Sequence, residues 1–378
     1  MDKNIRTVMP ELPNPALWID YLAPAISENW YTNFGPVNKS FEYRLEELYG
    51  RPDESVVTSS NATSGLSACL IAEAISGPVL CPAFTFQATA SSIYGANCKP
   101  VIVDVDATLG IVTPDALEAG FNKTGAQAAI VIAPYGITTD FHAHEAVCKR
   151  MGKLLIIDNA AGLGVARSHL SFSGVGDLVR EVYSLHATKP YGIGEGCAIF
   201  APKSKVSSLR AAMNFGLQSH SVSGNSKAPY WGINGKMSEF HAAIGLAVAD
   251  TMAHRVAARQ NMASNWIACI EKTSATIFSK AIKASPWQVF PILLESQDQV
   301  LATIENAAAQ NIELRRYYSP SLGACKGMEQ VGPCPNARSL AERALVLPVR
   351  SNMDPTDQAN LMKIIKMCIN KCDNGAHI

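Results

Sequence analysis

Hydrophobic positions from residue 56 to residue 200 form short, nearly continuous runs, and segments with helical spacing separate most of them. The spacing predicts helices at residues 64–74, 87–94, 114–121 and 143–150. The continuous runs predict seven strands, at residues 56–57, 79–81, 100–105, 128–133, 154–157, 178–185 and 197–200. Strands that are apolar on both faces and alternate with helices are typical of a mostly parallel sheet between helical layers. We therefore predict an α/β fold with a seven-stranded, mostly parallel sheet.

The N-terminal part of the chain has a different pattern. Residues 1–35 are irregular and contain several prolines, which predicts an arm rather than a regular element. Its aromatic segment at residues 29–35 either covers a cleft or only packs against the rest of the protein. Apolar residues at helical spacing then predict a helix at residues 41–49, which ends at Gly50 as a C-cap.

The C-terminal part predicts a smaller α+β unit. A long helix at residues 237–266 leads out of the large sheet. Beyond it we predict strands at residues 287–294 and 312–315, helices at residues 298–310 and 357–369, and further short elements at residues 339–345 and 347–349. We divide the chain into a large domain, residues 1–250, and a small domain, residues 251–378.

Composition and charge exclude several classes of protein. The chain has 378 residues, of which 48% are hydrophobic, and its 32 basic and 32 acidic residues give zero net charge. Nucleic-acid binding is not expected, because there is no basic excess. The longest apolar stretches, at residues 66–80 and 126–133, are broken or too short to cross a membrane. The first residues contain no apolar segment like that of a signal peptide, so we expect a cytoplasmic protein.

The ten cysteines are scattered along the chain without C-x-x-C pairs or a compact framework. Disulfide-rich proteins and zinc sites have closely spaced cysteines. We therefore expect buried thiols in a reducing compartment and no metal site.

Lys189 lies in the segment SLHATKPYGIGEGC, residues 184–197, between a predicted buried strand and a glycine-rich turn. A lysine amine among apolar neighbours has a lowered pKa and can act as a nucleophile that forms Schiff bases. The alternative is a surface lysine in a turn between two strands. The glycine spacing does not match the G-x-G-x-x-G loop of dinucleotide-binding proteins. We interpret Lys189 as the residue that holds pyridoxal 5'-phosphate, because other groups that this cofactor needs occur elsewhere in the chain.

Asp158 ends the apolar run of the segment LLIIDNAAG. A carboxylate at the end of a buried strand must be paired or protonated, because an unpaired buried charge is costly. The pyridine nitrogen of the cofactor is a suitable partner, since a carboxylate keeps it protonated. A structural salt bridge or a cap of the following loop is the alternative.

Two further segments are suited to the cofactor. Residues 59–63 form a strand-to-helix junction rich in small polar residues, where free N–H groups and the helix dipole favour a phosphate. The same residues could form a plain helix cap. The segment PAFTF, residues 82–86, follows a strand and offers aromatic rings that could stack on a planar heterocycle or belong to the core.

Together these residues resemble the DegT/DnrJ/EryC1/StrS family of sugar aminotransferases, which have the type I fold of pyridoxal-phosphate enzymes. The resemblance covers nearly the whole chain. Two elements are specific, S-x-H-x-T-K at residues 184–189 and M-S-E-x-x-A-A-I-G at residues 237–245. Supporting segments are PAFTFQATA at residues 82–90, VIVDVD at 101–106, IIDNAAG at 156–162 and SLAERALVLPV at 339–349.

The resemblance implies a role for each matching residue. Lys189 would bind the cofactor covalently and later move protons, while Asp158 would pair with the pyridine nitrogen and Phe86 would stack on the ring. The phosphate would be bound by Ser184 and by the junction at Ala62 and Thr63. Asn234 would reach the phosphate from a neighbouring subunit, so that a homodimer shares its two active sites.

The chain also departs from the family pattern. The family usually has glutamine three residues after the aspartate, near the cofactor's O3' oxygen, and this chain has Ala161. We expect Asn159 to compensate for that loss. Lys236 replaces an arginine, and Ala62 replaces a glycine of the phosphate loop.

For function, the resemblance implies transfer of the amino group of L-glutamate to a keto-sugar nucleotide, as in the synthesis of surface polysaccharides such as the lipopolysaccharide O-antigen. A 4-keto-6-deoxyhexose on dTDP, UDP or GDP is the expected acceptor, aminated at C4 rather than C3. A sugar-nucleotide dehydratase of the same fold, which has histidine in place of the lysine, and a non-catalytic paralogue are the alternatives. Expected substrate contacts are the loop at residues 216–230 and the side chains of Trp30, Tyr31, Tyr183, His186 and Lys236.

Overall fold

The computed structural model describes residues 4–137, 139–167, 177–217 and 231–373. Within these residues the strands form an eight-stranded sheet and a three-stranded sheet. The strands are β1 Glu54–Ser59, β2 Gly77–Pro82, β3 Cys98–Val103, β4 Ala128–Ile132, β5 Leu154–Asp158, β6 Val179–Ser184, β7 Cys197–Pro202, β8 Thr276–Ile277, β9 Val289–Leu293, β10 Glu329–Gln330 and β11 Ala344–Pro348.

The large sheet has the strand order β1-β7-β6-β5-β4-β2-β3-β10. Strand β7 runs antiparallel to its neighbours β1 and β6, and the other pairs are parallel. The small sheet, β11-β9-β8, is antiparallel. In a parallel sheet the loops that follow the strands meet at one edge, where ligands bind. Strands β2, β4, β5 and β6 end at that edge, and so their following loops can form one site.

The ends of the helices follow local sequence signals. Asn61 caps α3 by accepting a hydrogen bond from the Ser64 N–H at 2.8 Å, and Thr113 caps α5 by accepting from the Ala116 N–H. The helices are α1 Ala23–Ser27, α2 Pro36–Tyr49, α3 Ala62–Ala72, α4 Ala88–Gly95, α5 Pro114–Thr124, α6 His142–Met151, α7 Val206–Met213, α8 Glu239–Ile270, α9 Gln297–Ala308, α10 Pro335–Arg343 and α11 Pro355–Asp373.

The α/β prediction is confirmed, and each of the seven predicted strands is present. The observed large sheet has an eighth strand, β10, which pairs with β3 at the edge. The predicted strand at residues 312–315 is wrong, because Ile312 and Arg315 make only isolated bridges, to Ile5 and Val346. Helix α7 was not predicted from the sequence.

The two sheets share one hydrophobic core. Its buried side chains include Val131 of β4 and Ile157 of β5, together with Phe290 of β9 and Leu345 of β11. Helix α8 crosses residue 250 without a break, and β10 brings residues beyond that position into the large sheet. The division of the chain at residue 250 stays a prediction.

The cysteines with described side chains are free thiols, and most of them are buried. Among the described residues there is no cluster of three or more histidine, cysteine, aspartate or glutamate side chains that could hold a metal ion. No helix in the described part of the chain is long and apolar enough to cross a membrane.

Candidate active site

A cavity of about 850 Å³ opens at the carboxyl ends of the large sheet and extends to the small sheet. Both sheets contribute to its wall, because the loops after β4, β5 and β6 meet the start of β9 there. Seven of the residues predicted from the sequence line this cavity: Ala62, Thr63, Phe86, Asp158, Ser184, His186 and Lys189.

Lys189 lies in the loop that follows β6. Its backbone N–H donates to the carbonyl of His186 at 2.8 Å, which closes a tight turn and directs the side chain into the cavity. The amine donates a hydrogen bond to Oε1 of Gln288 at 3.2 Å. Burial lowers the pKa of the Lys189 amine to about 8, although the nearby Asp158 carboxylate acts in the opposite direction. The amine is therefore partly neutral near pH 8 and can act as a nucleophile or a base.

Asp158 is the last residue of β5, and its side chain faces the same cavity. The carboxylate accepts hydrogen bonds from the Ala160 N–H at 3.2 Å and from the Thr89 hydroxyl at 3.3 Å. Burial raises the pKa of Asp158 to about 6, while Lys189 and the two hydrogen bonds lower it. A carboxylate in this position attracts a cationic partner in the cavity, such as a protonated ring nitrogen.

The N-terminus of α3 forms the part of the wall best suited to a phosphate. Ala62 and Thr63 occupy the first turn, where backbone N–H groups have no acceptor within the helix. Ser184, at the end of β6, lies on the same cavity, and its hydroxyl oxygen accepts from the His186 N–H at 3.3 Å. Helix N-termini attract anions through these N–H groups and the helix dipole.

Phe86 follows β2 and has an exposed ring on the cavity wall, with 61% of the residue accessible. Large aromatic side chains are usually more buried than this. An exposed ring beside Lys189 and Asp158 provides a flat apolar surface that a heterocyclic ring can cover.

These groups fit pyridoxal 5'-phosphate. An amine with a lowered pKa suits the aldehyde, a half-buried carboxylate suits the ring nitrogen, and a helix N-terminus suits the phosphate. The cavity is larger than the cofactor requires, so it also has room for a substrate.

Several predicted residues do not belong to this cavity in the single chain. The described lining residues do not include Trp30, Tyr31, Asn234 or Lys236. The ring of Tyr31 stacks on Phe240 with the ring centres 5.9 Å apart. The Lys236 amine donates to the side-chain oxygen of Asn234 at 2.6 Å.

Trp30 lies under the amine of Lys39, 5.1 Å from the ring centre. Most of the predicted substrate loop, residues 218–230, lies outside the described residues.

Two expectations about the neighbouring residues are corrected by the structure. Tyr183 is fully buried and donates its hydroxyl to Glu181, because successive strand residues point to opposite faces and Ser184 takes the cavity side. Asn159 does not compensate for the glutamine replaced by Ala161. Its side-chain amide is buried and donates to Glu181 at 3.3 Å, on the face away from the cavity.

Sequence reasoning missed several residues on the wall, including Tyr135, Glu195, Gln288, Arg315 and Tyr318. Tyr135 follows β4 and stacks on Tyr318, with ring centres 5.6 Å apart. The Arg315 guanidinium donates to Glu313 at 2.8 Å and to the Tyr317 hydroxyl at 3.3 Å. Residues after residue 250 reach the site through the packing of the two sheets, which no local pattern in the sequence encodes.

Comparison with known proteins gives a consistent result. The sequence profile of the DegT/DnrJ/EryC1/StrS aminotransferase family matches residues 17–366. A dTDP-4-amino-4,6-dideoxy-D-glucose transaminase of Shigella dysenteriae is 29% identical over 93% of this chain and 96% of its own length.

Solved structures are similar over nearly the full length. The structure of DesI in the presence of its TDP-sugar product has a TM-score of 0.87 and 25% identity, and the match covers 99% of this chain and 95% of DesI. A DegT DnrJ EryC1 StrS aminotransferase of Brucella abortus has a TM-score of 0.82 and 24% identity, over 93% of this chain and 95% of that one.

Proposed function

Because the chain belongs to the DegT/DnrJ/EryC1/StrS aminotransferase family, we propose that it transfers the amino group of L-glutamate to a keto-sugar nucleotide, with pyridoxal 5'-phosphate bound at Lys189. The observation on which the proposal rests is that Lys189 and Asp158 face one cavity together with the N-terminus of α3. These are the three kinds of group that the cofactor's aldehyde, ring nitrogen and phosphate require.

The acceptor we propose is a 4-keto-6-deoxyhexose on dTDP, UDP or GDP, aminated at C4. The Shigella relative is a transaminase of a dTDP-linked 4-amino sugar, and the DesI structure contains a TDP-sugar product. The cavity of about 850 Å³ supports an acceptor larger than an amino acid. A role in the synthesis of surface polysaccharides such as the O-antigen belongs to the same proposal.

Pyridoxal 5'-phosphate, when bound, supplies an aldehyde that accepts an amino group and a ring that withdraws electrons. Lys189 would have two tasks: its amine would hold the cofactor through the aldehyde carbon, and as a free amine it would take the proton from the donor's Cα. The pKa of about 8 leaves this amine partly neutral near physiological pH, as both tasks require.

The other residues of the site bind and orient. The Asp158 carboxylate would keep the ring nitrogen of the cofactor protonated through its negative charge. Ala62, Thr63 and Ser184 would bind the phosphate, and Phe86 would stack on the ring. The amine of Lys189 would then move the proton.

His186 is proposed as a substrate contact from the same chain. Its ring nitrogen Nδ1 hydrogen-bonds the Thr188 hydroxyl at 2.9 Å, which fixes the ring orientation, while 46% of its side chain is exposed. The other nitrogen therefore remains directed toward the cavity side, 3.7 Å from Glu195. This position suits a hydrogen bond to the hydroxyl groups of a sugar.

Asn234, Lys236, Trp30 and Tyr31 are proposed to act on the site of a partner subunit in a homodimer. The loop that contains Asn234 lies beside the start of α3, because the Ser60 N–H donates to the Gly235 carbonyl at 2.7 Å. Phe215 and Trp231 flank this loop with about half of each residue exposed, at 52% and 51%. Exposed apolar groups around a polar loop support contact with a second chain.

The dehydratase alternative requires histidine at the position of Lys189, and the lysine argues against it. A non-catalytic paralogue would have no need for both Lys189 and Asp158. The free, mostly buried cysteines suit a reducing compartment, in agreement with the proposed cytoplasmic location.

The test is a half-reaction with a panel of keto-sugar nucleotides. The enzyme is first converted by glutamate to the form that carries the amino group, and each nucleotide sugar is then added. We expect the absorption spectrum of the aminated form to disappear with a dTDP-, UDP- or GDP-linked 4-keto sugar. A spectrum that changes with free 2-oxo acids and with no keto-sugar nucleotide would refute the proposed acceptor.

A further inference from the structure

Gln288 is the residue through which the small sheet contacts the reactive amine. It directly precedes β9, and only 7% of the residue is accessible. Its side-chain oxygen accepts the hydrogen bond from the Lys189 amine at 3.2 Å, across 99 residues of sequence. A buried polar side chain beside a catalytic amine is a candidate for a role in catalysis.

The orientation of the Gln288 amide follows from its neighbours. Its nitrogen donates to the Thr188 carbonyl at 3.1 Å, and the Thr188 hydroxyl lies 3.5 Å away. If the amide were turned over, its NH2 group would face the amine of Lys189 and its oxygen would face the Thr188 carbonyl. Donor would then meet donor and acceptor would meet acceptor. The oxygen is therefore fixed toward Lys189.

The backbone before Gln288 is held by buried contacts. Trp287 has φ of 53°, in the left-handed region that a bulky residue rarely adopts. Its backbone N–H donates to the Ser285 hydroxyl at 3.1 Å, and its indole N–H donates to the Ile282 carbonyl at 2.8 Å. Its carbonyl accepts from the Arg259 guanidinium at 3.1 Å. Strained conformations persist where the surrounding structure enforces them and are concentrated at functional sites.

The neutral charge of Gln288 matters for the amine. An amide oxygen accepts a hydrogen bond from a neutral amine and from an ammonium group, whereas a carboxylate at the same distance would favour the ammonium form. An amine that is double-bonded to carbon has fewer N–H groups to donate than a free amine. The hydrogen bond to Gln288 therefore belongs to the state in which the Lys189 amine is not bonded to the cofactor.

We propose that Gln288 is a positioning residue for Lys189. It holds the free amine of Lys189 against the cavity wall while the amino group is on the cofactor, and it leaves that amine able to lose its proton. The inference rests on the proposed role of Lys189. Titratable side chains on the same cavity are Asp158, His186, Glu195, Arg315, Tyr135, Tyr317 and Tyr318. Among these, Asp158 supplies the opposing charge that acts on the amine.

The first test measures the amine without any turnover. Full-length protein freed of cofactor is labelled with trace acetic anhydride at a series of pH values, and the labelling of Lys189 is read by mass spectrometry. In Gln288→Glu the pH midpoint of labelling should rise by about one unit or more, because opposite charges at this distance shift a pKa by that amount. Gln310 is an exposed glutamine in the C-terminal part of the chain. The control variant Gln310→Glu should leave the pH midpoint of Lys189 labelling unchanged.

The second test uses Gln288→Met, which keeps the size of the side chain, brings no charge and removes the acceptor. We expect kcat to fall about tenfold while KM for glutamate and cofactor binding change little, because a positioning residue acts on the proton-transfer step. This variant also gives a result if Gln288→Glu does not fold.

The outcomes separate this inference from the proposed function. If borohydride does not fix the cofactor on Lys189 of the unmodified protein, the role of Lys189 is wrong. If the cofactor is fixed there, but Gln288→Glu titrates like the unmodified protein or Gln288→Met retains its kcat, the inference about Gln288 alone is overturned.

Discussion

Asp158 and Lys189 approach one another from the ends of adjacent parallel strands, β5 and β6, and each alters the pKa of the other. Burial disfavours the charged form of each group, so the pKa of the Asp158 carboxyl is raised to about 6 and the pKa of the Lys189 amine is lowered to about 8. Their mutual attraction opposes both shifts. Between these two values the carboxylate and the ammonium group are both charged, and the site can accept a charged ligand.

The first prediction is the pH dependence of cofactor attachment. The neutral amine is the reactive form, and the pKa of Lys189 lies at about 8 rather than at the ordinary value of 10.5. The rate at which added pyridoxal 5'-phosphate attaches should therefore rise about tenfold per pH unit below pH 8 and become constant above it. Stopped-flow absorbance measures the rate, and borohydride followed by peptide mapping locates the attachment.

Asp158→Asn is a matched control for this profile, because it removes the charge that favours the ammonium form. Its midpoint should move below that of the unmodified protein. A rate that keeps rising to pH 10, or a borohydride adduct on another lysine, would show that the assignment of Lys189 is wrong.

The second prediction concerns the chemical role of Asp158. Removing one member of a buried ion pair costs about 3–5 kcal/mol, and we propose that the ring nitrogen of the bound cofactor is the partner of Asp158. Asp158→Ala should lose both cofactor affinity and activity. Asp158→Asn should bind the cofactor better than the alanine variant but react at least about a hundredfold more slowly than the unmodified protein. Cofactor titration and single-turnover rates give the two quantities, and normal turnover in the asparagine variant would show that Asp158 is structural.

The third prediction concerns stability. Arg167 is buried and forms ion pairs with two buried carboxylates, Glu54 at 2.6 Å and Glu181 at 2.6 Å. Arg167→Leu leaves both carboxylates without this partner, so the free energy of unfolding should fall by about 3–5 kcal/mol. Arg150→Leu is the control, because its pair with Glu118 is largely exposed and should contribute less than about 1 kcal/mol. Urea denaturation of the two variants compares them, and equal losses would contradict the account.

The elements that the sequence predicts best are those with a local signal. The seven predicted strands of the large sheet are recognisable because each is a short apolar run. Asp158 is recognisable because it ends such a run, and Lys189 because it lies between a strand and a glycine-rich turn. Strand β10 has two residues and no apolar pattern, and its pairing with β3 depends on tertiary packing.

The part of the site that the sequence did not predict comes from the small sheet. Gln288 and Arg315 reach the cavity only because the two sheets pack against each other. The sequence is sufficient to predict the position of Tyr183, since side chains alternate along a strand and Tyr183 therefore lies on the face opposite to Ser184.

The fourth prediction is a shared site in a dimer. Asn234 is not among the described residues that line the cavity of its own chain, and its side-chain oxygen accepts a hydrogen bond from Lys236. If it serves a partner, mixing inactive Asn234→Ala subunits with inactive Lys189→Ala subunits should restore part of the activity, because one site of each hybrid dimer has neither change. Subunit exchange is confirmed by mass spectrometry. Hybrid dimers that never regain activity would show that Asn234 acts on the site of its own chain.

The central claim is that Lys189 supports transfer of an amino group to a nucleotide-linked sugar. The measurement is the fate of isotopically labelled nitrogen from L-glutamate, followed by mass spectrometry in the presence of a dTDP-linked 4-keto-6-deoxyhexose. The account predicts the label in an amino-sugar nucleotide, and none in the Lys189→Ala variant. Label that enters 2-oxo acids but no keto-sugar nucleotide of the dTDP, UDP or GDP series would contradict it.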